Sequence, residues 1–356
     1  MHAPQGQLRY VSESPPRGAE TIEIAPGILW ARLPLPFRLN HVNVWLLCED
    51  DGWTLVDTGA GTAETREIWE SLLANQLSGG RINRVVATHG HTDHVGLAGW
   101  LVQRTGGPRF ASTLVEWLAP QVRLAESQGP LRPETLQFME AHGCDAATVD
   151  AFRNDRKRTH ALLGEMPGSV ERLRDGDEIE MGGRAWRVIV CGGHAQEHAS
   201  FWCEEDKILI AGDQVLSKIS PMIGVFSTEP WADPLSEYLA SLERLRTLPA
   251  EALVLPSHGL PFRSLHLRLG QLAHHHETRL DQLVRLMDQP NNAMVLTHGL
   301  FPRAVAEGQG RHALSETIAH ANHLVARGRA VREVDRDGGV IYRRADVEET
   351  EFLADG

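Results

Sequence analysis

Six consecutive residues, His89-Gly90-His91-Thr92-Asp93-His94, stand directly behind the apolar run RVVAT, and no other stretch constrains the chain as strongly. The apolar run reads as a buried strand. Behind it lies a knot of three imidazoles and a carboxylate, a density that chance seldom produces and that suits cation binding. Neutral imidazole binds Zn²⁺ and similar borderline cations well, and a carboxylate can bridge two of them. His89 and His91, two apart in a turn, can both reach one ion. Asp93 and His94, at the start of the next helix, can face a neighbouring one. Gly90 keeps the turn tight, and Gly96 lets the helix approach the sheet closely.

Four further strands end in the same manner. TLV runs into Asp57, VIVCGG into His194, ILIAG into Asp213 and LVLPS into His258. In α/β sheets, ligand sites form at the carboxyl ends of strands, where loops converge, so five strand ends can supply one site. Taken singly, each has a plainer reading. Asp57 and Asp213 can cap turns, and a lone histidine such as His258 more often makes a structural hydrogen bond. The dense cluster lifts the others with it.

The segment THGHTDHVG resembles the signature of the metallo-β-lactamase fold superfamily, and VDTG, CGGHAQEH, AGDQ and PSHG follow in that superfamily's order. The resemblance covers roughly residues 20–262. It implies an α/β fold, an αββα sandwich with the site at one edge. It also implies that His89, His91 and His194 hold one divalent metal ion, that Asp93, His94 and His258 hold a second, and that Asp213 bridges them. Zn is the first expectation, with Fe or Mn equally suited to these donors. Asp93 and Asp213 would serve the catalytic water, and Asp57 would orient the cluster from behind. Aspartate at position 213 is similar to the glyoxalase II, lactonase and ribonuclease branches, whereas true zinc β-lactamases more often carry cysteine there. His198 would support the site without being a ligand. Residues 265–343 resemble the winged-helix tail of one branch, which includes a single-strand endoribonuclease and many bacterial hydrolases.

The rest of the chain divides by texture. Residues 1–20, rich in Pro, Gly and polar residues, read as a loose arm. Residues 21–264 form the main domain, with a helical insertion at 108–173 broken by Pro120, Pro130, Pro133 and Pro167. That insertion can be a lid or outer-layer packing, and its Trp117, Phe138 and Phe152 can form an apolar wall or merely pack together. From 265 to 356 three helices and a hairpin are expected, the first helix over HHHETRLDQLVRLMD. The four cysteines form no CxxC pair and read as free buried thiols. With no secretory h-region and no run long enough to cross a bilayer, a cytoplasmic location is expected and a membrane partner is not.

Two activities compete. The net charge of −12 repels a phosphate backbone, which favours a small-molecule substrate: a thioester, ester or lactone. The winged-helix tail favours a phosphodiester, as in single-stranded RNA. A third reading is a non-catalytic regulator that binds through the tail, which the complete ligand set opposes. From Leu265 onward eleven Arg face thirteen Asp and Glu, hardly an electrostatic funnel. Arg327, Arg329, Arg332, Arg343 and Arg344 cluster, and read as a solvated face or a homodimer contact. His274-His275-His276 point in different directions on a helix and suggest surface or interdomain packing, as do His312, His320 and His323. Ser217-Lys218-Ile219-Ser220, just after Asp213, is expected to line the site, with Lys218 either meeting an anion or solvated.

Overall fold

The computed structural model describes residues 6–126 and 129–346. The alternation of side chains along each strand builds its layers. In the strand Ile28–Pro34, Ile28 and Trp30 point one way and Leu29, Ala31 and Leu33 the other. His41–Glu49 repeats this, with Trp45 and Leu47 on the first side and Val42, Val44 and Leu46 on the second. These strands belong to a seven-stranded sheet, Ile22–Ala25, Ile28–Pro34, His41–Glu49, Gly52–Val56, Arg81–Val86, Arg109–Ser112 and Glu171–Arg172 in spatial order. A second seven-stranded sheet runs Arg9–Tyr10, Phe262–Arg263, Leu253–Pro256, Ile208–Gly212, His198–Cys203, Arg184–Cys191 and Glu178–Met181. Its Val188, Phe201, Ile208 and Ile210 meet Trp30 and Trp45 in the core between the sheets.

The opposite faces are covered by helices. Ala63–Ala74 begins at Thr62, whose hydroxyl accepts the Thr65 N–H at 3.1 Å. It lays Trp69 and Leu72 against the first sheet, together with Leu101 of Ala98–Arg104. Pro234–Leu245 starts on an Asp233 cap with proline at its first position, and packs Leu235 and Leu242 against Leu209 and Ala211 of the second sheet. The architecture is the expected α/β sandwich, with a helix layer on each side of two sheets. No helix among the described residues is long and apolar enough to cross a membrane.

Topology places the site. Gly52–Val56 runs parallel to Arg81–Val86 in one sheet, and Ile208–Gly212 runs parallel to Leu253–Pro256 in the other. All four carboxyl ends emerge at one edge of the sandwich. Backbone bonds tie the sheets together there, Ala199 N–H to Thr88 O at 2.7 Å and Asn43 N–H to Ser257 O at 2.7 Å.

Several details depart from expectation. The stretch 108–173 opens and closes on strands of the first sheet, with helices Leu114–Glu126, Pro133–Ala141 and Ala146–His160 between them. Its aromatics do not share a wall: Trp117 packs with the first-sheet core, Phe138 and Phe152 with that of the second. The arm is not loose at Arg9–Tyr10, which pairs with Phe262–Arg263; edge pairing uses backbone groups that composition does not reveal. Its first five residues, like the last ten of the chain, lie outside the described residues. Cys48 is exposed and the other three cysteines are buried, all free.

The tail comprises the helix Leu265–Leu286, which begins well before His274, then Ala293–Leu300, Pro302–Ala306 and Gly310–Ala326. A three-stranded sheet adds Asn291–Asn292 to the hairpin Ala330–Val334 and Val340–Arg344. The strand Asn291–Asn292 and the short helix Pro302–Ala306 carry too little periodicity to be read from sequence. Leu280, Leu283, Ile318 and Tyr342 belong to the same apolar cluster as Leu209, Val215 and Leu242, so tail and second sheet share one core. His276 is buried inside it, with Nδ1 3.2 Å from His320 Nε2 and Nε2 3.1 Å from the Ser220 hydroxyl. His323 pairs with Asp233 at 3.0 Å. A shared core implies one cooperative transition. Ile318→Ala should lower stability by about 2–5 kcal/mol and shift a single thermal transition of the whole chain; calorimetry resolving a separately melting tail would contradict this.

Candidate metal centre

Asp57 follows the strand Gly52–Val56 in a left-handed conformation, φ +65°, that a non-glycine residue adopts only under constraint. The constraint is visible. Its carboxylate accepts the Thr88 N–H at 2.8 Å and the Thr88 hydroxyl at 2.9 Å, and His94 Nδ1 lies 2.8 Å away. Asp57, Thr88 and His94 are all buried. The strand end of one loop is thereby welded to the loop that carries the histidine cluster.

Three of the imidazoles, His94, His194 and His258, are gripped on Nδ1 and offer Nε2 to the cluster. His194 Nδ1 donates to the Met222 carbonyl at 2.9 Å, and His258 Nδ1 to the His41 carbonyl at 2.7 Å. His94 is held by Asp57. The inner atoms converge. His89 Nε2 lies 2.9 Å from His91 Nδ1 and 3.3 Å from His194 Nε2. Asp213 Oδ2 is 3.4 Å from His194 Nε2, and its Oδ1 is 3.6 Å from His94 Nε2 and 3.3 Å from His258 Nε2. Asp93 Oδ2 is 3.5 Å from His258 Nε2 and 3.7 Å from His94 Nε2. The structure thus brings all seven residues singled out as ligand candidates into three overlapping groups: His89, His91 and His194; His89, His94 and Asp213; Asp93, His94 and His258. Donor atoms within each group lie within 4.8 Å of one another.

The donor set fits divalent cations. His94 Nε2 and Asp213 Oδ1 are buried without a hydrogen-bond partner among the described residues, a costly arrangement unless a cation takes their lone pairs. The electrostatics agree. Burial, then the neighbouring His94 and His91, push the pKa of His89 well below the usual imidazole value. Burial and His194 do the same for His91. Burial also opposes charge on His94, but Asp93, Asp57 and Asp213 outweigh it and hold its pKa well above normal. At His258, Asp213 likewise overcomes burial and raises the pKa. Asp213 is kept well below the ordinary carboxylate range, because His258 and His94 outweigh its own burial.

Other groups hold this arrangement in place, and the sequence pattern did not mark most of them. His198 Nε2 accepts the Asp213 N–H at 3.1 Å, the supporting position expected of it. The intervening Gly212 has φ +54°, and a Cβ there would meet His198 Nε2 at 2.3 Å. Glu116, buried in the helix Leu114–Glu126, accepts the Gly90 N–H at 2.8 Å with one oxygen and the Glu197 N–H at 3.1 Å with the other. Arg123, on the same helix, donates to the Gly90 carbonyl at 2.7 Å. His41 Nε2 accepts the Gly259 N–H at 2.9 Å, and burial together with Arg32 and His258 lowers its pKa to about 3, so it acts there as a neutral acceptor. Glu116, Arg123 and His41 grip backbone, and nothing in their own spacing signals it.

Residues 38–258 match the family described as the Metallo-beta-lactamase superfamily, and residues 280–345 match the Metallo-beta-lactamase-like C-terminal domain. The chain is similar to a beta-lactamase domain protein of Burkholderia ambifaria, with 38% identity and a TM-score of 0.86 over 95% of this chain and 98% of the other. It is 27% identical over 311 residues to the probable metallo-hydrolase YqjP of Bacillus subtilis (strain 168), spanning 84% of this chain and 92% of that protein. It is 28% identical over 187 residues to the hydroxyacylglutathione hydrolase of Methylococcus capsulatus, spanning 52% of each. With two sheets stacked between helices, imidazoles and carboxylates converging at one edge, and family matches over both parts, the chain belongs to the metallo-β-lactamase superfamily and is a metallo-hydrolase of it.

Proposed function

We propose that the chain hydrolyses a small-molecule thioester, ester or lactone, a thioester foremost, at a centre of two divalent cations. The observation that carries this reading is the Asp213 carboxylate, whose two oxygens face opposite halves of the cluster, Oδ2 toward His194 and Oδ1 toward His94 and His258. In this reading His89, His91 and His194 would hold one cation, Asp93, His94 and His258 would hold the other, and Asp213 would serve both. Zn²⁺ suits the donors, as do Fe and Mn. When bound, the cations lower the pKa of a shared water and polarise the carbonyl under attack.

The protein's own groups do the rest. Asp93 is the more exposed of the two inner carboxylates, at 21% against 8% for Asp213, and it lies on the open side of the cluster, where it can take the proton of the attacking water. Asp213 stays anionic and offsets the positive charge gathered between the sheets. Asp57 and Thr88 fix the tautomer and direction of His94. A thiol-carried acyl group is supported by the Methylococcus relative, which is named for an acylated glutathione.

We read residues 265–346 as a winged-helix module on the order of their helices and strands, and such modules often bind nucleic acid. The charges disfavour that use here. Arg327 meets Glu277 at 2.7 Å, Arg329 meets Asp281 at 2.8 Å, Arg343 meets Glu333 at 2.8 Å and Arg344 meets Asp288 at 3.6 Å. Arginines so paired give no continuous track for a phosphate backbone.

Three outcomes follow from this reading. On metal-loaded protein, a panel of acylthiols, lactones and single-stranded RNA should show turnover of acylthiols that chelators abolish and that Asp93→Asn lowers by about 10²–10⁴-fold; metal-dependent RNA cleavage without acylthiol turnover would reverse the ranking. Asp57→Asn should weaken metal binding by about 10–100-fold in a competition titration, with the fold retained by circular dichroism. The third outcome concerns pH. In the metal-free protein His94 and His258 hold protons more tightly than free imidazole, whereas His89 and His91 hold them less tightly. Protons must therefore leave the His94–His258 side as metal enters, so affinity there rises with pH. Dialysis at falling pH should release metal in two steps, and the step at higher pH should be missing from His258→Ala.

A further inference from the structure

The paired arginines of the hairpin contrast with a second set that no run of sequence reveals. A groove of about 620 Å³ lies between the helix Leu265–Leu286 and the segment 299–309. Arg38, Arg279, Arg285 and Arg303 line it, and among the described residues no Asp or Glu does. In a chain with 47 acidic and 35 basic residues, four arginines facing one cavity without an acid is a marked local reversal of charge. Arg279 is fixed rather than neutralised. Its guanidinium donates to Gln282 Oε1 at 3.1 Å and to the Leu300 carbonyl at 3.2 Å, and lies 4.8 Å from the Phe301 ring centre. Glu316, which acts on it electrostatically, is itself pushed up to about 7 by burial. Arg38 is paired with Glu307 at the rim. Arg285 and Arg303 are exposed and pair with no carboxylate among the described residues. Asp281, one turn before Arg285, is bonded to Arg329 and acts on Arg285 only electrostatically.

The groove adjoins a second cavity, one wall of which belongs to the segment that follows Asp213. This neighbouring cavity of about 440 Å³ shares Phe301 with it, and its lining includes Lys218, Ile219, Ser220 and Arg268 together with the Glu316 carboxyl. Arg268 clamps this wall by donating to the Leu216 carbonyl at 2.6 Å and the Ile219 carbonyl at 2.8 Å. The wall spans both halves of the cluster. At one end the Ser217 hydroxyl accepts the Leu260 N–H at 3.3 Å, beside His258; at the other the Met222 carbonyl holds His194. A ligand lying along the two cavities would have an anionic end among the arginines and its other end at the segment that flanks the metal residues.

We propose that the arginine groove binds the phosphate groups of a coenzyme A-type thioester, with the pantetheine arm along the Lys218–Ser220 wall and the acyl carbonyl at the His/Asp cluster. This rests on the thioester reading above. Guanidinium groups bind phosphate through paired hydrogen bonds, and several separate arginines call for several phosphates on one ligand. A small polyanion matches a local groove on a chain whose net charge of −12 opposes a long one.

The test uses the full-length, metal-loaded protein and Arg285→Ala/Arg303→Ala, with thermal unfolding as the check on folding. One acyl group is presented on coenzyme A, on pantetheine without phosphate, and on a carrier protein, and free coenzyme A is titrated by calorimetry. The expected result is a wild-type preference for acyl-coenzyme A over acylpantetheine, expressed in KM, and a rise in KM for acyl-coenzyme A on the order of tenfold or more in the variant. Free coenzyme A should bind the wild type and lose affinity in the variant by a similar factor. Equal KM values for acyl-coenzyme A in both proteins, together with no binding of coenzyme A, would overturn the groove assignment and leave the thioester reading standing. Binding of coenzyme A that depends on these arginines, without turnover of any acylthiol, would uphold the groove as a polyphosphate site and overturn the thioester reading. An arginine-dependent preference for the carrier-protein thioester, or for a single-stranded RNA oligonucleotide in place of coenzyme A, would also overturn the proposal.

Discussion

The structure depends on one buried carboxylate. Asp57 sits between the first sheet and the histidine loop, in a backbone conformation that costs about 1–3 kcal/mol for such a residue, and three contacts to Thr88 and His94 hold it there. A charged group in that position is costly to bury unless its lone pairs are used. They are used on the two neighbours that set the direction of the loop. His94 is turned inward as a consequence, and the orphaned Nε2 that results faces Asp213 and Asp93. Local strain at Asp57 is thus tied to the placement of a group on the far side of the imidazole ring.

The same logic extends outward through backbone. Glu116 holds Gly90 and Glu197 with its two oxygens, so the loop bearing His89 and His91 and the loop bearing His194 share one anchor. A Cβ at position 90 would meet the Glu116 carbonyl at 2.6 Å, which is why this turn needs glycine. On the other sheet, His198 fixes the backbone of Asp213, and His41 holds the His258 ring with its carbonyl and the Gly259 backbone with its own ring. Ligand-type side chains come from five strand ends, but their register is set by residues that face away from the cluster.

This division explains what could be read in advance. Strand ends followed by His or Asp are local signals, and HGHTDH is contiguous, so the converging residues and the α/β layers were legible. The burial of the first sheet on both faces, with Ile28 and Trp30 in one core and Leu29 and Leu33 in the other, emerges only in the structure. Glu116 and Arg123 were not legible as anchors, because an acid and a base about two turns apart look like any solvated helix face. Arg9–Tyr10 was not legible as a strand, since its pairing to Phe262–Arg263 rests on backbone groups alone. In the tail, the long helix was placed too late because its opening residues, LHLRLGQLA, read as a change of texture before the charged run makes the period plain.

Charge shows the same limit more sharply. In sequence, Arg327, Arg329, Arg332, Arg343 and Arg344 form the conspicuous cluster, yet in space four of them meet carboxylates and Arg332 lies 4.0 Å from the Trp231 ring centre. Arg279, Arg285 and Arg303 come from one stretch of the tail and Arg38 from the other end of the chain, and they meet at one groove that no acid lines among the described residues, with Glu307 paired to Arg38 at its rim. Proximity in sequence selects for helix and hairpin faces, where evenly mixed charges satisfy one another at the surface. Convergence of like charge from distant segments works against stability, because each guanidinium raises the cost of the next. A fold that maintains such a convergence in one groove has an anion as the natural counterpart of that repulsion.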